Sequence, residues 1–119
     1  MGSISRFSDY VKGSHPLVAR DQQREEIYSE DSLRVFHVNM PAGYKSGRLR
    51  HSHQNKRLVV TEGSMVVHLD KGVHRIKKDE QILIMKNRAH CIENFGDSTL
   101  KLIDIRTGSR FRDDKLLSV

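Results

Sequence analysis

The sequence predicts an all-β domain that folds as a single jelly-roll barrel with an N-terminal arm. Short runs of aliphatic and β-branched residues recur along the chain, and Gly, Pro, Asn or Asp ends each run. No window of the sequence has the apolar spacing of an amphipathic helix. The chain has 119 residues, enough for one hydrophobic core and too few for two. Closure into a barrel is favoured because it leaves no exposed sheet edge.

Residues 1–31 form the predicted arm, which has room for one short strand or helical turn. The stretch from Asp21 to Glu26 is polar and charged and shows little apolar periodicity. Two apolar pairs, Leu17-Val18 and Ile27-Tyr28, interrupt this polarity. We expect these pairs to cover apolar surface on a second subunit, which predicts a homodimer.

The predicted barrel occupies residues 32–110, and residues 111–119 form a C-terminal tail. Its first strand begins at Leu33, alternates in polarity and ends at Pro41. The turn Asp70-Lys71-Gly72 separates two apolar runs and predicts a hairpin. The remaining strands are each bounded by turn residues, and they are Leu58–Thr61, Met65–Leu69, Val73–Ile76, Ile82–Met85, His90–Glu93 and Leu100–Arg106.

Charge and cysteine content limit the classes of function. The chain has 21 Lys and Arg residues against 15 acidic residues, and the basic residues are spread along it. This favours a small anionic ligand, or an ordinary solvated surface, over nucleic acid, which a clustered basic stripe with stacking aromatic residues would bind. Cys91 is the only cysteine, so an internal disulfide is excluded and a reducing compartment is favoured. No apolar run is long enough for a membrane span or a secretory signal, so a cytoplasmic protein without a membrane partner is expected.

Three histidines in two short blocks are the strongest functional signal. His51 and His53 are two residues apart, so on a strand both side chains project from the same face. His90 lies in the second block. Imidazole is a common metal ligand and titrates near neutrality, so the three residues predict a metal site or an acid/base site. The remaining histidines lie outside both blocks and are expected to be ordinary surface or hydrogen-bonded residues; they are His15, His37, His68 and His74.

The two blocks carry a family resemblance. The segments PAGYKSGRLRHSHQNKRLVVTEGS and DEQILIMKNRAHCIENFG resemble the two conserved motifs of a cupin. The resemblance is in particular to the small cupin domain that ends type II mannose-6-phosphate isomerases, where it is usually fused to a mannose-1-phosphate guanylyltransferase. It implies that His51, His53 and His90 face the barrel interior as metal ligands, with His51 and His53 also catalytic. Leu100–Gly108 resembles the closing strand of the family, and Asp113-Asp114 its acidic tail.

The sequence departs from the family pattern at two places. Lys56 stands where the family has a glutamate ligand, and a protonated ammonium cannot bind a cation. The implied cofactor is a divalent metal (Zn, Mn, Fe or Ni) held by three imidazoles. The positive charge of Lys56 is expected to lower the affinity for this metal. Met85 and Asn87 replace a proline and a glycine of the second motif, and Asn87 can keep the turn because asparagine tolerates positive φ.

Lys56 has two interpretations. If it points inward, it converts a cation site into an anion site, in which Arg48 or Arg50 and His90 would help to bind a phosphate. If the strand register differs by one residue, Lys56 is a surface lysine. In the inward arrangement Arg57 takes the opposite face, and Cys91, next to His90, points away from the pocket.

Three hypotheses for function follow. The first is a sugar-phosphate isomerase whose metal polarises a carbonyl. The second is a metal-free sugar-nucleotide ketoisomerase in which His51 and His53 transfer protons. The third is a non-catalytic module that binds or senses an anionic metabolite. The sequence favours a cupin that binds a phosphorylated sugar or a similar small anion, and it leaves enzymatic activity open.

Overall fold

A computed structural model describes residues 22–108 of the chain and the backbone of Asp114–Leu116. Every regular element among these residues is a strand, which confirms the all-β prediction. In chain order the strands are β1 (Gln23–Glu30), β2 (Leu33–Met40), β3 (Leu49–His51), β4 (Gln54–Glu62), β5 (Ser64–Leu69), β6 (Gly72–Lys77), β7 (Gln81–Ile84), β8 (Cys91–Glu93), β9 (Leu100–Gly108) and β10 (Asp114–Leu116). The described part of the chain contains no helix of the length and apolarity that crossing a membrane requires.

The strands form two main antiparallel sheets and one short strand pair. The larger sheet has the order β1-β2-β9-β4-β7, and the smaller has the order β6-β5-β8. The third pair joins β10 to β3. Strands that are distant in sequence are therefore neighbours in the sheets, as in a jelly roll.

The hydrophobic core lies between the two sheets because side chains alternate along each strand. On β2 the inward residues are Phe36, Val38 and Met40, while their neighbours are only partly buried. The other two central strands add residues that are almost completely buried, and these are Leu58, Val60, Leu100 and Leu102. Met65, Val67 and Ile92 complete the core from the smaller sheet.

Polar side chains continue this inward face at one end of the central strands. On β4, Gln54 and Lys56 precede the apolar positions and are buried. On β9, Asp104 and Arg106 follow the apolar positions and are also buried. Lys56 and Arg106 are register partners on adjacent strands, so the polar residues gather at one end of the interior.

Asn94 fastens the end of β2 to the loop that follows β8. Its side chain is buried, and its Nδ2 donates to the carbonyl oxygens of Met40 (3.0 Å), Pro41 (3.1 Å) and Ser98 (2.9 Å). Its Oδ1 accepts from the amide of Gly96 at 2.9 Å. These contacts satisfy backbone groups that a buried loop would otherwise leave without hydrogen bonds.

Two turns adopt the conformations that the sequence predicts. Asn87 has φ of 68°, so it adopts the left-handed conformation predicted for the residue that replaces glycine. The turn Asp70-Lys71-Gly72 joins β5 to β6, which pair antiparallel as the hairpin prediction requires.

The predicted arm and tail each contribute a strand. Strand β1 lies within residues 1–31 and pairs with β2 at the edge of the larger sheet. Ile27 and Tyr28 are 54% and 48% exposed on it. Leu17-Val18 and Asp113 lie outside the described residues. Asp114–Leu116, from the predicted tail, pairs with Leu49–His51.

Candidate functional site

Lys56 points into the barrel. It is 3% exposed, and Gln54 and Leu58, two positions away on the same strand, are buried with it. Its neighbour Arg57 is exposed on the opposite face and donates to Gln81 Oε1 at 2.8 Å. Of the two sequence interpretations, the inward one is therefore correct.

The ammonium of Lys56 contacts the imidazole of His90. Lys56 Nζ lies 3.2 Å from His90 Nε2, and His90 Nδ1 lies 3.1 Å from the carbonyl oxygen of Arg88. A carbonyl oxygen can only accept, so Nδ1 carries the ring proton and Nε2 is the acceptor for the ammonium. His90 is thus held as a neutral imidazole between a backbone acceptor and a cationic donor.

Burial keeps His90 neutral. Desolvation in the barrel, reinforced by the positive charge of Lys56, lowers the pKa of His90 from 6.5 to about 3. An imidazole with so low a pKa is a weak base near neutral pH, because its conjugate acid does not form there.

Acid should therefore destabilise the protein through His90. Between pH 6.5 and about 3 the unfolded chain binds a proton at His90 that the folded chain does not, so stability falls as the pH falls through this window. From pH 6.5 to 4.5 we expect this residue to account for about 2–3 kcal/mol of the lost free energy of unfolding. Urea unfolding across this range should show a shallower pH dependence in His90→Asn. The exposed His74→Asn should leave the slope unchanged, and equal slopes in all three proteins would contradict the expectation.

His51 lies near His90 and is buried, whereas His53 is exposed. His51 is 4% exposed, and its ring centroid lies 5.6 Å from that of His90. Strand β3 ends at His51, a bend follows, and His53 is exposed. The expectation that His51 and His53 share one face is therefore wrong, because the two residues do not lie on one continuous strand. Gln54, the first residue of β4, is buried instead.

Gly108 accommodates the bend at His53. Its φ is +143°, and a Cβ placed on it would lie 2.1 Å from the carbonyl oxygen of His53 and 2.8 Å from Gln54 Cα. The backbones approach so closely that only glycine fits at this position.

A buried ion pair stands beside Lys56. Arg106 Nη2 donates to Asp104 Oδ2 at 3.1 Å, and both side chains are less than 10% exposed. Arg24, from β1, reaches the same carboxylate oxygen at 3.5 Å and places its guanidinium 4.1 Å from the centroid of the Phe36 ring. The carboxylate is therefore shared between two guanidinium groups.

These side chains border a small cavity inside the barrel. The cavity has a volume of about 30 Å³, and its polar lining includes Arg24, Tyr44, Lys56, Asp104 and Arg106. Among the described lining residues, three cations face one carboxylate, so the cavity surface is electropositive. Its volume is enough for about two water molecules.

The cations that line this cavity differ in part from those expected from the sequence. Of the residues predicted to bind the anion, Lys56 lines this cavity. His90 contacts Lys56 but is not part of the lining, and neither are the exposed Arg48 and Arg50. Arg24 and Arg106 contribute the additional positive charge. The inward position of Arg106 could have been predicted from the sequence, because it continues the alternate positions Leu100, Leu102 and Asp104. Arg24 lies in the polar arm, where no such alternation marks an inward residue.

Residues 12–119 match the family model described as mannose-6-phosphate isomerase C-terminal. The chain belongs to this family. Curated relatives include the mannose-1-phosphate guanylyltransferase of Escherichia coli K12, 28% identical over 78% of this chain and 20% of its own length. ManC of Salmonella typhimurium, also a mannose-1-phosphate guanylyltransferase, is 33% identical over 78% of this chain and 19% of its own length. The chain thus spans about a fifth of these relatives.

Solved structures of cupins share the fold of this family member. The cupin domain of Cnp3 from Schizosaccharomyces pombe superposes with a TM-score of 0.71 at 20% identity, covering 74% of this chain and 61% of that one. A sugar phosphate isomerase of the cupin superfamily from Silicibacter pomeroyi gives 0.69 at 22% identity, covering 77% and 63%. The jelly-roll barrel is therefore a cupin barrel.

The residues of this cupin do not fit the divalent metal that the resemblance implied. Of the three predicted ligands, His51 and His90 are buried and His53 is exposed. Lys56 places an ammonium against the His90 nitrogen that would have to bind the metal. Among the described residues, no group of three His, Cys, Asp or Glu side chains is arranged to hold a metal ion. A cation would require at least one of these side chains to move.

A second, larger cavity lies beside the loop that precedes β3. Its volume is about 420 Å³, and its lining includes Arg48, His68, Asp70, His90 and Cys91. The Cys91 thiol donates to the carbonyl oxygen of Ser46 at 3.2 Å. Cys91 and His90 both line this larger cavity, and neither lines the smaller one.

Proposed function

We propose that this cupin binds a small anion, a phosphorylated sugar in particular, with the anionic group held by the cations of the barrel cavity. The observation that carries the proposal is the buried ammonium of Lys56, which faces the same cavity as the guanidinium groups of Arg24 and Arg106. Guanidinium groups and ammonium groups are the protein donors best suited to phosphate oxygens.

The cavity fits the anionic group better than a whole sugar. At about 30 Å³ it is far smaller than the several hundred Å³ of an ordinary small-molecule pocket. The side chain of Arg24 is 32% exposed, which places it where the cavity meets solvent. Phosphate oxygens would enter by displacing this side chain outward, while the sugar ring remains at the opening.

The relatives support a sugar phosphate as the ligand class. The description of the family names mannose-6-phosphate isomerase, and the curated relatives are mannose-1-phosphate guanylyltransferases. Both names specify a phosphorylated mannose, in keeping with an electropositive cavity.

The geometry supports binding more strongly than proton transfer. A ketoisomerase that uses the His51 and His53 pair requires both imidazoles in the pocket, but His53 is exposed. His90 remains inside, yet its pKa of about 3 and its contact with Lys56 make it a poor general base. We therefore propose a binding or sensing role for the domain.

Calorimetric titration with mannose 6-phosphate, mannose 1-phosphate and unphosphorylated mannose tests the proposal. We expect both phosphates to bind and mannose to bind at least tenfold more weakly, because the phosphate supplies the charge that the cations recognise. Lys56→Met should weaken binding of the phosphates at least tenfold, and added salt should weaken it further. Arg57→Gln is the matched control, since it removes a cation from the outer face of the same strand.

Two outcomes would refute this function. One is equal affinity for mannose and its phosphates. The other is an equal change in affinity for the sugar phosphates in Lys56→Met and in Arg57→Gln. Conversion of mannose 6-phosphate to fructose 6-phosphate, followed by NMR in the same samples, would add isomerase activity to the binding role.

We also propose that the protein forms a homodimer through β1. All eight residues of this edge strand are exposed, including Ile27 and Tyr28, and its outer edge pairs with no strand in the described part of the chain. Such an edge is suited to pairing with the same strand of a second copy. Light scattering should give the mass of a dimer, and Ile27→Lys should shift it toward the monomer. Val73→Lys, at an exposed residue of β6, should not; a monomeric wild-type protein would exclude the dimer.

A further inference from the structure

We infer that the ammonium of Lys56 takes the place of a divalent metal and excludes metal ions from the pair formed by His51 and His90. Removing the ammonium should then uncover a metal site in the barrel. This inference does not depend on the proposed anion binding, because metal affinity is its readout.

The two buried imidazoles already have a spacing close to that of metal ligands. Their ring centroids are 5.6 Å apart, and their planes are inclined at 37°. Two imidazoles that bind one zinc ion through nitrogens about 2 Å from the metal have centroids roughly 5 Å apart. A small adjustment would therefore allow His51 and His90 to share an ion.

Lys56 prevents this in two ways. Its Nζ lies 3.2 Å from His90 Nε2 and donates to that nitrogen, so the lone pair that would bind a metal is already engaged. The ammonium also repels a divalent cation, and this repulsion is strong because Lys56 is only 3% exposed.

The position of His90 supports the same interpretation. Its Nδ1 donates to the carbonyl oxygen of Arg88, an arrangement that fixes the ring with Nε2 toward the interior. In metal sites the second nitrogen of a ligand histidine commonly donates to such an acceptor. The chain therefore retains the hydrogen bond that would orient a metal-binding histidine, but it places a lysine ammonium against the nitrogen that would bind the metal.

The test measures Co²⁺ binding to tag-free, chelator-treated protein by calorimetry and visible absorption. We expect wild type to show no tight Co²⁺ site, and Lys56→Ala to gain at least tenfold in affinity with a new absorption band. Lys56→Glu should bind more tightly than Lys56→Ala, because it adds a carboxylate ligand. Lys56→Arg keeps the positive charge and should behave as wild type does.

Further substitutions assign the new site. Adding His90→Asn to Lys56→Ala should abolish the gain, whereas adding His74→Asn, at an exposed histidine, should leave it intact. Lys56→Gln, which is neutral and closer to lysine in length, serves as a second variant if Lys56→Ala does not fold. The inference is overturned if wild type binds Co²⁺ through His90 as tightly as the lysine variants. It is also overturned if folded Lys56→Ala or Lys56→Gln binds no more tightly than wild type.

Discussion

Asp104→Asn should lower the free energy of unfolding by about 3 kcal/mol, since removing one partner of a buried ion pair leaves the other charge uncompensated. Asp104 accepts hydrogen bonds from Arg106 at 3.1 Å and from Arg24 at 3.5 Å, in a cavity that Lys56 also lines. Asparagine keeps the shape of the side chain but removes the negative charge that these cations share. Denaturant unfolding monitored by circular dichroism measures the loss.

An exposed ion pair provides the matched control. Glu62 lies 3.8 Å from Lys101, and their side chains are 63% and 43% exposed. Glu62→Gln should cost less than about 0.5 kcal/mol, because exposed pairs contribute little. Combining Asp104→Asn with Arg106→Gln should destabilise less than the sum of the single changes by at least about 1 kcal/mol. Strict additivity, or equal costs for Asp104→Asn and Glu62→Gln, would show that the buried carboxylate is not required to balance the cations.

Gly108→Ala should destabilise the barrel by about 3 kcal/mol or more. The new methyl group would lie 2.1 Å from the carbonyl oxygen of His53 and 2.8 Å from Gln54 Cα, and a φ of +143° is itself unfavourable for alanine. Both obstructing atoms belong to the backbone, so relief requires the strands to separate. Thermal and denaturant unfolding of the variant measure the cost.

Gly72→Ala separates the two causes of this cost. Gly72 has a similar φ of +131°, but no heavy atom lies within 4 Å of the position that its Cβ would take. It should therefore lose only about 1 kcal/mol, from backbone strain alone. Similar losses at Gly72 and Gly108 would mean that the close approach to His53 has no energetic importance.

The strand pattern was predictable because the hydrophobic alternation is local. Leu33–Met40 was identified from alternating residues and Leu100–Arg106 as a run that follows turn residues, and both are strands in the structure. The partners of these strands were not predictable from alternation, because pairing depends on contacts between distant parts of the chain. For the same reason the sequence did not reveal that part of the predicted arm is the edge strand β1.

The candidate site was predictable only where the strands are regular. The inward position of Lys56 follows from the alternation of β4 once the register is known. His53 was misplaced because the bend after His51 interrupts the period of two, and the residue that accommodates it, Gly108, lies far away in sequence. The charge balance around Asp104 likewise depends on Arg24, which a different strand supplies.

The pairing of β9 with both β2 and β4 delays assembly of the barrel during synthesis. Leu33 pairs with Thr107 and Gln54 pairs with Gly108, so each of the two earlier strands requires a strand that is synthesised more than about 50 residues later. At ordinary elongation rates this wait lasts on the order of several seconds. During this time β2 and β4 lack the strand that lies between them. The nascent chain can then aggregate or bind chaperones. The barrel is therefore expected to close only after β9 has left the ribosome.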